Sequence, residues 1–121
     1  MEVAMTIKEC FENLGADYDD VLRRMGTQER LLRFLSKFPQ DPSFSLLCGA
    51  YERGDAGEAF RAVHSLKGVS VNLGLSSLYA SACALTEELR GGTITPASAP
   101  MLEHLRQDYE ATIACIRELE A

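Results

Sequence analysis

The stretch DAGEAFRAVHSLKGVSVNLG, residues 55–74, decides the fold because it predicts one long amphipathic helix with its own start and end. Asp55 suits an N-cap, and Glu58 three residues later completes a pattern like a capping box. Gly74 can adopt the left-handed conformation that ends a helix. Between them, small and apolar side chains recur every three or four residues and predict a buried helix face: Ala56, Ala59, Val63, Leu66, Ser70 and Leu73.

The rest of the chain also predicts helices, because it lacks alternating strand patterns and hairpin turn signals. Two short helices are expected first, over 6–14 and 17–24. Four longer segments follow: 27–38 extended by 42–53, 55–73, 76–90 and 96–120. Short connections favour antiparallel neighbours. We therefore expect an all-α fold, an up-down antiparallel four-helix bundle with one or two short N-terminal helices. Which short segments stack end to end stays open.

Turn and cap residues predict where several of these helices begin. Thr27 is placed as an N-cap. Asp41 followed by Pro42 predicts an N-cap with proline at the first helical position. Ser76 is expected to cap the helix that follows Gly74. This helix should end at Gly91-Gly92. Thr95 and Pro96 are expected to open the last helix, over 96–120, which should continue to the end of the chain.

Size and charge narrow the classes of function. A chain of 121 residues fits one domain, here 1–121, with a single core. Its formal net charge of -6 argues against nucleic acid and anionic membranes, which would repel it. The expected partner is therefore another protein, and the simplest oligomeric state for a lone bundle of this size is a monomer.

The cysteines and the start of the chain bear on location. The four cysteines lie far apart without a Cys-x-x-Cys pair, and this favours free thiols in a reducing compartment over disulfides or a metal site. Residues 1–6 lack the basic and apolar segments of a secretory signal. The longest charge-free stretch, 68–86, is interrupted by serines and by Gly74, so it predicts two amphipathic helix halves meeting at a turn. We expect a cytoplasmic protein.

The chemistry is concentrated around one histidine of the helix over 55–73. At about 100° per residue, His64 lies off the middle of the buried stripe and is expected to be exposed or half-exposed. An isolated histidine there would most simply be a surface residue, but its neighbours change the interpretation. Gly68 costs about 1 kcal/mol in a helix interior and brings no packing, so a partner's close approach would explain it. Lys67 is a compact cation that can balance a phosphoryl group beside the imidazole.

These residues closely resemble the histidine-containing phosphotransfer (HPt) domains of phosphorelays in two-component signal transduction. The hallmark of that family is His-x-Leu-Lys-Gly followed by Leu-Gly, and it is matched here at His64, Leu66, Lys67, Gly68, Leu73 and Gly74. The resemblance is strongest over 58–90. It implies that His64 is the phosphoacceptor at Nε2, that Lys67 stabilises the phosphate, and that Gly68 gives a receiver domain room to dock.

The resemblance also implies a phosphoprotein that is not an enzyme, since the chain has no kinase or nucleotide-binding element. The expected partners are receiver domains of response regulators and a hybrid sensor kinase. No cofactor of its own is implied, because Mg²⁺ is expected on the receiver. Phe60, Arg61 and Val71 border the same flank and, with Arg90, are candidates for a docking surface, although Phe60 also fits a widened core and Arg90 a solvated helix end.

What orients the imidazole ring is left open by the sequence. If the two helices around Leu75 fold back antiparallel, Thr86 comes opposite His64. Members of the family often carry Gln or Glu at the corresponding place. Here Thr86 could bond through its hydroxyl, Glu87 could reach over, or a water could intervene.

The leading hypothesis is a phosphocarrier that accepts a phosphoryl group from a receiver aspartate onto His64 and passes it to another receiver. An alternative is an interaction module whose His64 face docks a receiver without being phosphorylated. A third option, a helical metal site with His64 and nearby acids, lacks a Glu-x-x-His pair or a second close histidine. His104 has no Lys-Gly companion and is expected to be a plain surface residue.

Overall fold

The computed structural model describes residues 5–120, and the regular structure in this range is entirely helical. The all-α prediction is therefore confirmed. The first four residues, on which part of the expectation about a secretory signal rests, and Ala121 at the end lie outside the described residues. Between residues 5 and 120, no helix has both the length and the apolar character needed to cross a bilayer. The α-helices are α1 Ile7–Asn13, α2 Tyr18–Met25, α3 Gln28–Lys37, α4 Ser43–Glu52, α5 Ala56–Asn72, α6 Ser76–Leu89 and α7 Ser98–Glu120.

Helix α5 lies between α4 and α6, and α6 packs in turn against α7. Helices α1 and α3 also contact α7, while α2 contacts α1 and α3. A 3₁₀ turn over Phe38–Gln40 joins α3 to α4. Each of the four longer segments contributes a fully buried leucine to one shared core, which includes Leu47, Leu66, Leu85 and Leu105. The predicted buried face of α5 is confirmed at all six positions.

Four helices begin with side-chain caps; the caps at Thr27 and Asp55 are confirmed, and α1 and α2 begin one residue later than predicted, with Thr6 and Asp17 as their caps. Thr6, Asp17, Thr27 and Asp55 each accept a hydrogen bond from the backbone N–H three residues later. Such caps satisfy N–H groups that have no partner within the helix. The capping box expected at Asp55 is only half present, because the Glu58 side chain pairs with an arginine of α5 instead of the Asp55 backbone.

The predicted starts of α4 and α6 each differ from the observed starts by one residue. Helix α4 begins at Ser43 with Pro42 as its N-cap residue, so the proline does not occupy the first helical position. The Asp41 carboxylate still accepts a hydrogen bond from the Ser43 backbone N–H at 2.9 Å. Helix α6 has Leu75 as its N-cap and Ser76 as its first residue. The Ser76 hydroxyl points back to the carbonyl oxygen of the preceding turn and caps nothing.

The start of α7 was also predicted wrongly, at Pro96 instead of Ser98. The Thr95 hydroxyl donates to the Glu88 carboxylate at 2.7 Å and is therefore not a cap for the helix. The Thr95 carbonyl oxygen accepts from both the backbone N–H and the hydroxyl of Ser98, at 3.1 Å and 2.6 Å. Residues 95–97 thus form a turn that precedes the helix.

The tight turn between α5 and α6 depends on Gly74. Its φ of 68° lies in the left-handed region, and a Cβ there would meet the Val21 Cβ at 2.9 Å. Arg24 donates from its guanidinium to the carbonyl oxygens of Asn72 and Val71 at the end of α5. A cation suits these carbonyls because they lie at the negative end of the helix dipole. The Val71 carbonyl oxygen also accepts from the Gly74 backbone N–H at 3.2 Å. Helix α2 is therefore held against the end of the helix that carries His64.

We expect Gly74→Ala to lower the free energy of unfolding by roughly 2 to 4 kcal/mol, because left-handed strain and overpacking against Val21 add together. Gly92→Ala is the matched control: its φ of 84° is also left-handed, but a Cβ there meets nothing within 4 Å. It should show the strain alone, about 1 to 2 kcal/mol. Urea unfolding measures both, and equal losses would show that the Val21 contact has no effect.

All four cysteines are free thiols, as expected. Cys10 and Cys115 are buried between α1 and α7, and the Cys115 thiol lies 3.9 Å from the Cys10 carbonyl oxygen. Burial raises the pKa of the Cys10 thiol to about 12, with a further contribution from Cys115. Cys10 therefore stays a neutral thiol at neutral pH, and both buried side chains pack as small apolar residues.

Candidate functional site

His64 lies on the exposed side of α5, as the helical pattern predicted. The residue before it, Val63, is completely buried, and Leu66 is 1% exposed. The buried face of α5 packs against α4 and α6, so the imidazole ring points away from the core. A histidine on this face is accessible to another macromolecule without any movement of the helices.

An aromatic and a cationic side chain surround the imidazole. The Phe60 and His64 rings are nearly parallel, at 7°, with their centroids 6.1 Å apart. The Arg90 guanidinium of α6 lies over the Phe60 ring at 5.4 Å. Arg90 is itself held by two hydrogen bonds to the Glu87 carboxylate, at 2.8 Å and 3.2 Å. The structure thus brings together His64, Phe60, Arg90 and Glu87, which the sequence had only placed near one another.

Lys67 and Gly68 lie one helical turn beyond His64, on the same side of α5. Lys67 is half-buried and Gly68 is exposed. A Cβ at Gly68 would meet nothing within 4 Å, so none of the described helices crosses α5 closely there. Internal packing therefore does not require this glycine, and the space above it is open to a partner.

The flank continues in both directions along α5. Val71 is 46% exposed, which is high for a valine in a helix of the core. At the other end, Arg61 is exposed and forms an ion pair with Glu58. We call the exposed flank as a whole the His64 surface; it consists of Phe60, Arg61, His64, Lys67, Gly68, Val71 and Arg90. It combines apolar and cationic groups around one imidazole.

The charged side chains on the α6 side of this surface, Glu87 and Arg90, interact with each other. Hydrogen bonds from Arg90 lower the pKa of Glu87, and the positive charges of Arg90 and Lys67 act in the same direction. A lowered carboxyl pKa means that the stabilising pair is complete above the ordinary pKa of a glutamate and is lost as the pH falls. Glu87 is therefore ionised at neutral pH and fixes Arg90 over Phe60.

The two candidates for orienting the ring are both engaged elsewhere. Thr86 is completely buried, and its hydroxyl donates to the Ala82 carbonyl oxygen at 2.6 Å. Glu87 pairs with Arg90. Within residues 5–120, no group forms a hydrogen bond to the His64 imidazole. A ring-orienting role for Thr86 or Glu87 therefore stays a prediction.

Sequence reasoning missed the contact between the rings of Phe60 and His64. The signal was available, because residues four apart on a helix are neighbours on its surface. The sequence predicts for Phe60 either a docking role or a widened core. In the structure Phe60 is partly buried against the core and also contacts His64 and Arg90.

Outside the His64 surface, the second histidine lies on α7. His104 is exposed on α7, with its Nε2 3.4 Å from an Asp108 carboxylate oxygen. Among the described residues, no group of three or more His, Cys, Asp or Glu side chains is arranged to hold a metal ion.

Comparison with known proteins gives one finding. A family model described as Hpt domain matches residues 16–115, which is most of the chain and includes the whole His64 surface. No curated protein and no solved structure matches the chain significantly.

Proposed function

We propose, because the chain belongs to the Hpt domain family, that His64 accepts a phosphoryl group from the aspartate of one receiver domain and passes it to another. Hpt domains act in the phosphotransfer of two-component systems, as phosphocarrier modules and not as catalytic enzymes. Their partners are the receiver domains of response regulators. The proposal adds the acceptor residue, the supporting residues and the carrier role between two receivers.

The observation that carries the proposal is the open space over Gly68, one turn from the exposed imidazole. A helix-interior glycine costs about 1 kcal/mol relative to alanine, and no packing contact among residues 5–120 requires it here. A partner whose backbone approaches α5 closely would need it. Phosphoryl transfer between two proteins demands such an approach, because the donor and acceptor atoms must come into line within one interface.

The transfer step needs little from this chain beyond presentation of a nucleophile. The lone pair of the unprotonated Nε2 attacks the phosphorus atom, a P–N bond forms, and the bond from phosphorus to the aspartate oxygen breaks. The electron pair of that bond leaves with the aspartate, which becomes a free carboxylate. The reverse step regenerates the neutral imidazole, so the same surface can serve as acceptor and then as donor. Mg²⁺ is expected on the receiver.

The neighbouring side chains support this step in different ways. Lys67 would place its ammonium beside the phosphoryl oxygens, where charge is neutralised in the transition state. Phe60 would limit the rotation of the imidazole through ring contact, and Arg90 would add positive potential at the edge of the interface. Val71 and Phe60 would provide the apolar contacts on which a receiver packs.

The finer architecture belongs to the same proposal. We place four members in an up-down bundle: α3 continued by α4 as the first, then α5, α6 and α7. Helices α1 and α2 cover one end. The contact of Phe60 with Arg90, far from the α5–α6 turn, supports an antiparallel pairing of these two helices. A monomer acting in the cytoplasm is the simplest form for this role.

A two-receiver assay tests the carrier role. A receiver carrying labelled phosphate is mixed with the purified chain in the presence of Mg²⁺, and a second, unphosphorylated receiver is added afterwards. We expect label to move to the chain and then to the second receiver. Binding of receivers without any label on the chain, across several receivers, would instead support the alternative of a docking module.

Removal of the Lys67 ammonium should slow transfer without preventing docking. A charge-assisted contact to phosphate is worth about 1.5 to 3 kcal/mol, so Lys67→Ala should lower the transfer rate roughly 10- to 100-fold. Lys8→Ala, an exposed lysine of α1, is the matched control and should transfer at the normal rate. Rapid-quench measurement of labelled phosphate gives both rates, and equal rates would remove Lys67 from the site.

A further inference from the structure

A second surface with its own chemistry lies on α3. Arg30, Arg33, Phe34 and Lys37 follow the spacing of a single helix face and are all exposed. The opposite face of α3 carries buried leucines, including Leu35. Phe34 is one of the few large apolar side chains with substantial exposure, at 40%. This outward face is therefore cationic with an aromatic residue at its centre.

Two adjoining clefts make this face concave. One has a volume of about 530 Å³ and lies between the end of α2 and the cations Arg30 and Arg33. The other, of about 430 Å³, lies between α3 and the end of α5 at Val69. Phe34 and Lys37 line both clefts, as does Met25. We call the two clefts together the α3 groove. It combines apolar side chains, among them Met25, Phe34 and Phe38, with cationic ones.

The charge of the groove is opposite to that of the chain. The formal net charge is -6, yet Asp41 is the single acidic residue lining the groove, against four cations. In the described part of the chain, Arg30, Arg33 and Lys37 form no ion pair. Lys37 lies 5.8 Å from the centre of the Phe34 ring. Three cations without counter-charges around an exposed aromatic ring complement an acidic ligand that carries an apolar group.

We propose that the α3 groove binds an acidic segment of a partner protein and that an apolar side chain of this segment packs against Phe34. A protein segment fits better than nucleic acid or an anionic membrane, because the net charge of the chain opposes the approach of an extended polyanion. The groove shares no residue with the His64 surface. Binding there can therefore be measured without a phosphotransfer assay.

A short fluorescein-labelled peptide of glutamates interrupted by leucines is the probe, and its fluorescence anisotropy reports binding. We expect binding that weakens as salt rises. The double variant Arg30→Glu with Arg33→Glu should weaken it about tenfold or more, since two favourable contacts become repulsive. Arg53→Glu with Arg117→Glu changes the net charge equally at exposed sites outside the groove and should leave affinity near normal. His64→Gln should also bind normally.

A second pair of variants tests the apolar contact. Phe34→Ala should weaken binding several-fold while leaving the salt dependence unchanged, because it removes contact area and no charge. Leu46→Ala is the matched control, since Leu46 is 60% exposed on α4 and does not line the groove. The proposal is overturned if the peptide does not bind, or if the arginine control variant or Leu46→Ala loses as much affinity as its groove counterpart. It is also overturned if vesicles of anionic lipid bind the groove more tightly than the peptide does.

Discussion

His64→Gln is expected to abolish phosphoryl uptake completely while leaving the fold and receiver docking intact. Glutamine retains polar groups at the position but has no nucleophilic ring nitrogen. Because His64 is exposed and forms no hydrogen bond within the described residues, the free energy of unfolding should change by less than about 0.5 kcal/mol. The measurement is label transfer from a phosphorylated receiver, together with urea unfolding.

His104→Gln is the matched control for this variant, since it removes the other histidine from an exposed position on α7. It should accept phosphate at the normal rate. Uptake that persists in the His64 variant and disappears in the His104 variant would move the acceptor to α7. Uptake that persists in both would show that neither imidazole is the acceptor.

Gly68→Gln is expected to have opposite effects on stability and on transfer. Glutamine is a better helix former than glycine by roughly 0.5 kcal/mol or more, and its side chain has open space above α5. The free energy of unfolding should therefore rise. The same side chain fills the open space above α5 beside His64, so the rate of transfer from a receiver should fall roughly tenfold or more. A tenfold loss corresponds to about 1.4 kcal/mol of interaction free energy with the receiver.

Two comparisons make this result specific. Gly68→Ala should show the gain in stability with a smaller loss of transfer, because it adds a single methyl group. Ala114→Gln adds a side chain at an exposed position of α7 and should affect neither quantity strongly. A glutamine at position 68 that stabilises the chain and transfers normally would mean that no partner approaches α5 closely there.

The helices could be predicted because their signals are local. The buried face of α5 follows from the spacing of its apolar residues, and Asp55 and Gly74 mark its ends through backbone geometry. The start of α7 could not be predicted in the same way. The Thr95 hydroxyl could cap a helix or form another hydrogen bond. It donates to Glu88, a residue of α6 that only tertiary packing brings near.

The features of the candidate site also divide into those that local sequence predicts and those that depend on tertiary packing. The exposure of His64 and the open space at Gly68 follow from one helix alone. A fold-back about Leu75 that pairs Thr86 with His64 also pairs Arg90 with Phe60, and this second contact is present. The behaviour of Thr86 could not be deduced, because a buried hydroxyl can bond to a carbonyl of its own helix as readily as to a neighbouring side chain.

The central claim, that His64 carries the phosphoryl group, is tested most directly by locating the phosphate. The chain is incubated with a phosphorylated receiver and Mg²⁺, kept under alkaline conditions that preserve a phosphoramidate, and mapped by mass spectrometry. We predict a single phosphoryl group on the peptide that contains His64. Phosphate on His104 or on any other residue, or an unmodified chain after incubation with receivers that dock on it, would contradict the account.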